Sequence, residues 1–137
     1  MSFSGIVRSG AGEGAAFVSM TEYTKQFKRI LGYTPFSGTL CLQVTPTVRE
    51  HLRTLTGERL EGFMKVNTRK KDMVDDYGGA KCVRISTLEH GEAQTTRCAV
   101  IFPDRQREDD EVIEILGPIN LRAALDVKDG DIVTIYP

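Results

Sequence analysis

The sequence predicts a mainly β domain, a small closed barrel with one longer helix and short helical turns. Three observations predict it. At least six short segments carry strand patterning. They do not alternate with helices as parallel βαβ units do. Only one stretch keeps a helical period for more than two turns. So many short strands would expose several edges in an open sheet, and closure removes those edges. The 137 residues fit a single domain, 1–137, of the usual size, large enough to bury a core without disulfides or a structural metal.

Phe3 to Arg8 is expected as the first strand. It runs into the glycine-rich Ser9-Gly10-Ala11-Gly12-Glu13-Gly14 and then a short, strand-like apolar run, Phe17-Val18. Ser19 with Glu22 three positions on has the form of a capping box. Tyr23, Phe27, Ile30 and Leu31 then share one helical face, and Gly32 is placed to stop the helix. Pro35 to Gly38 is a turn, and Thr39 to Val44 alternates as a strand. Pro46 to Leu55 is expected as a short helix with Val48, Leu52 and Leu55 inward. A strand from Leu60 to Val66 follows. Asn67 to Gly79 is polar, charged and glycine-ended, which predicts an exposed loop. Ala80 to Ser86 and Ala93 to Phe102 form a hairpin around His90-Gly91. After the charged loop Asp104 to Asp110 come a strand, Glu111 to Leu116, and a break at Gly117-Pro118. One or two helical turns, Asn120 to Leu125, precede the tight turn Lys128 to Asp131 and a last strand, Ile132 to Tyr136.

A net charge of −1 gives no general attraction to nucleic acid or to an anionic membrane. No apolar run approaches the roughly 20 residues of a spanning helix, and the first ten residues lack the pattern of a secretory signal. A cytoplasmic location is therefore expected. Cys41, Cys82 and Cys98 are odd in number, widely spaced and without a C-x-x-C pair, which predicts buried thiols rather than a zinc or redox centre.

Several features have the chemistry of a site. Gly10, Gly12 and Gly14 allow successive N–H groups to converge on an anion, although such a loop also serves as a plain turn. The string formally fits a dinucleotide fingerprint, but that motif must open a helix, and the apolar run after it predicts a strand. Thr39, directly after a turn, offers an oxygen to phosphate or a hard cation, or simply a β-branched side chain to a strand. Glu114 falls on the face of Val112 and Leu116, opposite Glu111, Ile113 and Ile115. A carboxylate there either has a polar role, as proton acceptor or ligand holder, or reaches solvent from an edge strand. Arg122 suits polyphosphate or a solvated surface. Arg69-Lys70-Lys71 is expected as a solvated loop, and His51 and His90 lack metal-ligand spacing.

In order along the chain, Ser9 to Gly14, Leu31 to Leu40, Glu111 to Pro118, Leu121-Arg122 and Lys128 to Asp131 resemble the archaeal CTP-dependent riboflavin kinases. From about Val48 to Val100 only the strand pattern matches. The resemblance implies a six-stranded cradle-loop barrel. It also implies a reaction, CTP plus riboflavin giving CDP plus FMN with Mg2+. Beyond those substrates and products, neither a nucleic-acid nor a membrane partner is expected, and the protein is expected as a monomer. Ala11, Gly12, Glu13, Gly14, Ala15 and Ala16 would wrap the nucleotide phosphates. Ile119, Asn120, Leu121 and Arg122 would complete the nucleotide site. Thr39 would be one magnesium ligand. Glu114 would contact the flavin near its ribityl chain, and there orient or deprotonate the attacking hydroxyl. Three positions depart from the family. Cys41 stands where an asparagine is expected to bind magnesium. Gln106 stands where a threonine often meets the flavin. Ala15 replaces a residue that is often larger or basic. These departures raise a second expectation, a homologue that binds nucleotide or flavin without catalysis. The string Leu125 to Val133 raises a more distant one, a swapped-hairpin-like DNA-binding protein.

Overall fold

The computed structural model describes residues 1–10, 13–70, 73–105 and 110–137. Gln106, Ala11 and Gly12, all expected at the site, lie outside the described residues. In chain order the elements are β1 (Phe3–Arg8), α1 (Glu13–Ser19), α2 (Thr21–Leu31), β2 (Leu40–Gln43), α3 (Pro46–Thr54), β3 (Glu58–Leu60), β4 (Phe63–Val66), β5 (Val74–Tyr77), β6 (Ala80–His90), β7 (Ala93–Pro103), β8 (Val112–Leu116), α4 (Leu121–Leu125) and β9 (Ile132–Tyr136).

Strand order in the main sheet is β3-β6-β7-β8-β2-β1-β9, and a further pairing of β6 with β9 closes it. Six antiparallel strands thus form the expected barrel, with β3 added beside β6. The two long strands do most of the turning. Inward residues of β6 fall at Val83 and Ile85, then at Leu88, so the alternation slips by one between them. At the same level Arg97 of β7 has φ 64°, and the Ser86–Arg97 rung is missing from an otherwise regular ladder. A local break of this kind re-aims a strand and lets a sheet turn a corner.

Alternation then builds two cores. Leu40, Leu42, Ile113 and Ile115 point into the barrel with Val100, Phe102, Leu121, Val133 and Ile135. Ala99, Ile101 and Leu116 point outward, beneath Phe17, Val18, Tyr23 and Phe27 of α1 and α2. Phe27 is fully buried, which contributes roughly 2–3 kcal/mol. At the other end, Thr45 caps α3 by accepting from the Val48 N–H at 3.2 Å. Arg49 on α3 is buried, donates to the Val112 carbonyl at 3.0 Å and lies 5.2 Å over the Phe102 ring.

Four expectations are corrected. Phe17-Val18 lies in α1 and not in a strand. Gly14, Phe17 and Val18 are buried while Ala15, Ala16 and Ser19 are exposed, the i, i+3, i+4 spacing of a helix face. The glycine string therefore does open a helix, but in a sheet whose ladders are antiparallel, not in a βαβ unit. The capping box does not form: Ser19 ends α1 and donates to the Ala15 carbonyl at 2.7 Å, while Met20 is the N-cap of α2 with no side-chain cap bond. Leu60 to Val66 splits at Glu61-Gly62, where a Cβ on Gly62 would meet the Tyr77 carbonyl at 2.3 Å. The stretch expected as a loop contains β5, which pairs with β4 from Phe63–Tyr77 to Val66–Val74.

Candidate functional site

Register brings the first part of the site together. In the β2–β8 ladder Cys41 is the partner of Glu114, and in the β1–β2 ladder it is the partner of Arg8. The neighbours of both on their strands, Leu40, Leu42, Ile113 and Ile115, fill the barrel. Cys41 and Glu114 must then point outward, side by side, toward the loop that follows β1. Strand β8 lies between β2 and β7, so Glu114 is not an edge residue reaching solvent. It is 6 % exposed.

A buried carboxylate needs hydrogen bonds to offset its lost hydration. The Gly14 N–H donates to Glu114 Oε2 at 2.7 Å, and the Thr39 hydroxyl donates to Oε1 at 3.0 Å. Thus the first turn of α1, the residue before β2 and the middle of β8 meet at one side chain. Glycine permits this approach. A Cβ on Gly14 would lie 3.0 Å from Glu114 Oε1 and from Thr39 Cγ2, and a Cβ on Gly10 would lie 3.1 Å from Cys41 Cβ.

The second part sits at the other end of the glycine loop. Arg122, on α4, donates to Asp129 Oδ1 at 2.7 Å and to the Arg8 carbonyl at 3.0 Å, and the Ser9 hydroxyl donates to Asp129 Oδ2 at 2.8 Å. The Arg122 hydrogen bond, then that of Ser9, holds the Asp129 carboxyl below the usual carboxylate range. Arg122 is therefore fixed beside residues 8 and 9, where the chain leaves β1. Asn120 is the N-cap of α4, accepting from the Ala123 N–H at 3.3 Å. Leu121 is buried in the barrel core and Ile119 is exposed, so the Leu121 side chain is spent on packing.

Thr39, Cys41, Gly14 and Glu114 are brought together, and Arg122 is brought to the start of the same loop. Ala15 and Ala16 lie on the exposed side of α1. Ser9 and Asp129 were not singled out from the sequence. Their signal is in the sequence, since both lie within the family-like segments Ser9 to Gly14 and Lys128 to Asp131. Elsewhere, Cys82 and Cys98 are buried, which pushes their thiols up to about 12 and about 11. His90 Nδ1 lies 3.1 Å from the Leu125 carbonyl, and the His51 ring packs 5.0 Å from Phe3. Among the described residues no helix is long and apolar enough to cross a membrane.

The arrangement is a buried carboxylate held by the Gly14 N–H and the Thr39 hydroxyl, with an arginine fixed beside residues 8 and 9. The family model CTP-dep_RFKase, described as domain of unknown function DUF120, matches residues 7–136. The chain is 34% identical over 134 residues to a protein of Methanospirillum hungatei named riboflavin kinase, covering 96% of this chain and 55% of that one. A riboflavin kinase of Pyrobaculum aerophilum is 37% identical over 136 residues, with 96% and 58% covered. One of Halobacterium salinarum is 33% identical over 138 residues, with 98% and 56% covered. The chain spans a little over half the length of these relatives. With a family model matched from the end of β1 to the last residue of β9, the chain belongs to the CTP-dependent riboflavin kinase family.

Proposed function

We propose that this chain acts as a riboflavin kinase, transferring the γ-phosphoryl group of CTP to the 5′-hydroxyl of riboflavin to give FMN and CDP. The observation that carries the proposal is Glu114, a buried carboxylate held between Gly14 and Thr39 at the mouth of the glycine loop. The names of the relatives support the substrate, and the name of the family supports the nucleotide. On this reading the partners are riboflavin/FMN and CTP/CDP, the protein acts as a cytoplasmic monomer, and a net charge of −1 argues against nucleic acid.

Phosphoryl transfer depends mainly on alignment and charge neutralisation. Residues 11–16 would wrap the phosphates with backbone donors. Arg122, already aimed at residue 8 and braced by Asp129, would add a cation beside them, with Ile119 to Leu121 completing the nucleotide pocket. Glu114 would accept the ribityl hydroxyl as a hydrogen bond, orient it and take its proton as the new bond forms. Gln106 would meet the flavin from the loop after β7. A divalent cation, when bound, neutralises charge on the transferring phosphates. The Thr39 hydroxyl and the Glu114 carboxylate fit such a cation. The Cys41 sulfur, on the same face, does not fit magnesium, which prefers oxygen.

That thiol also favours a second reading, a homologue that binds flavin or nucleotide without transfer. Incubation with riboflavin, a divalent metal and CTP or ATP, followed by chromatography for FMN, separates the two. FMN formed with CTP supports the kinase. If Cys41→Asn alone makes FMN, the native chain is a binder with a lesion at one position. If neither protein makes FMN with any nucleotide or metal, the kinase proposal fails.

A further inference from the structure

The corner between β6 and β7 carries a side chain that the turn itself does not require. Arg97 sits there with φ 64°, in the left-handed region that glycine enters without steric cost. A glycine would turn the same corner with less strain, which points to a task for the arginine beyond the turn. Two contacts hold it in place. The Tyr33 hydroxyl donates to the Arg97 carbonyl, and the Arg97 guanidinium lies 5.1 Å over the Tyr33 ring. Stacking of this kind leaves the in-plane N–H groups of a guanidinium for a ligand. Among the described residues Arg97 has no acidic partner.

Arg97 is one wall of a pocket of about 240 Å³, completed by Arg84, Tyr33, Leu31, Ile85 and Cys98. None of these residues belongs to the site around Glu114 and Arg122. Arg84 spends one terminal nitrogen on the Ile30 carbonyl and on Glu58 Oε1, 2.9 Å away. That fixes the guanidinium and leaves its Nε and its other terminal nitrogen as donors. The floor is Ile85 and Cys98, both buried. Burial pushes the Tyr33 phenol above its ordinary value and the Cys98 thiol up to about 11, so neither adds negative charge at neutral pH. One carboxylate, Glu58, offsets two guanidiniums, and Lys28 and Arg29 lie in the last turn of α2, which ends at Leu31. The pocket is therefore cationic at its rim and apolar beneath. We infer that it takes a phosphate group, as inorganic phosphate or as a small phosphomonoester, held between Arg97 and Arg84. Guanidinium forks match phosphate oxygens two at a time, and the apolar floor accommodates a short carbon portion.

Proton–nitrogen NMR of the arginine side chains reads the site directly. Inorganic phosphate, glycerol 3-phosphate and glycerol are titrated at about 0.15 M salt, which screens loose surface attraction, with and without saturating CDP. Both phosphates should shift the Arg97 and Arg84 Nε–H signals saturably, CDP present or absent, and glycerol should not. Tighter binding of glycerol 3-phosphate supports a phosphomonoester as the ligand, and equal affinity supports inorganic phosphate. Arg97→Gly should weaken binding at least about tenfold while its urea midpoint holds or rises, because glycine takes the positive φ without strain. A purely structural arginine would show the stability change and no loss of binding. The inference is overturned by the absence of saturable shifts, by binding in Arg97→Gly within about twofold of native, or by shifts that CDP abolishes, since the anion then occupies the nucleotide site. If Arg97→Gly does not fold, Arg84→Gln, a change at an exposed residue, decides by the same loss of binding. No arm depends on turnover, so failure of the kinase proposal leaves this test intact.

Discussion

Mutation separates the two duties that the kinase proposal gives Glu114. Its oxygens satisfy the Gly14 N–H and the Thr39 hydroxyl, and on the kinase reading they also face the attacking hydroxyl. Glu114→Gln keeps the volume and removes the proton acceptor. FMN formation should fall by about 10²–10⁴-fold, with riboflavin affinity, followed by flavin fluorescence, changing far less. Glu114→Ala strands two buried donors, and urea unfolding should show a loss of about 1–3 kcal/mol. If Gln turned over at the native rate, Glu114 would be a structural clasp only. A pH effect belongs to Asp129, which the hydrogen bonds of Arg122 and then Ser9 hold below the ordinary carboxylate range. Its folded value is the lower one, so the stabilisation is present at neutral pH and is lost as pH falls through the carboxylate range. The pair is exposed, so salt weakens it. Carbon-detected NMR titration of Asp129 should show its value rising toward normal in Arg122→Ala, and an unchanged value would remove Arg122 as the cause.

Helix α1 shows what an element owes to tertiary contacts and how far sequence patterning reaches. Most strands were legible because alternation and turn residues are local signals, as in the hairpin of β6 and β7 around Gly91, whose φ is 59°. Two large apolar residues, adjacent in a seven-residue element, do not complete a period, so Phe17-Val18 resembled a strand. What makes it a helix is docking on Tyr23, at 4.5 Å between rings, and a bond from Gly14 to a side chain 100 positions away. β5 was hidden for a related reason: it pairs with β4 outside the barrel and so needs no apolar face. That Glu114 shares a face with Val112 and Leu116 was legible from alternation; that this face points out of the barrel was not. Nor was the meeting of Glu114 with Thr39 and Cys41, because that depends on which strands pair. Gly14→Ala tests this balance by its sign. Helix propensity alone would stabilise by about 1 kcal/mol. A Cβ 3.0 Å from Glu114 Oε1 and Thr39 Cγ2 should instead cost about 1–3 kcal/mol through overpacking. Net destabilisation in urea is expected, and a more stable variant would contradict the clasp.

Closure makes the barrel a single mechanical unit, and the site inherits its precision from that. β9 pairs with β1 at one edge and β6 at the other, so Ile135, fully buried, faces both Phe3 and Leu88. The site lies on the β1–β2–β8 run, two ladders from that seam, while the β4–β5 hairpin is a separate two-stranded sheet. Ile135→Ala should cost about 2–5 kcal/mol. The loss should appear across the whole barrel, because opening the seam exposes the edges of β1 and β6 together. In hydrogen-exchange mass spectrometry, protection should fall in parallel in β1, β6, β8 and β9 and leave the faster β4–β5 amides unchanged. Loss confined to β9 would mean that the seam opens alone and the site does not depend on it. A parallel fall would tie the position of Glu114, in the middle of β8, to a contact on the closing strand.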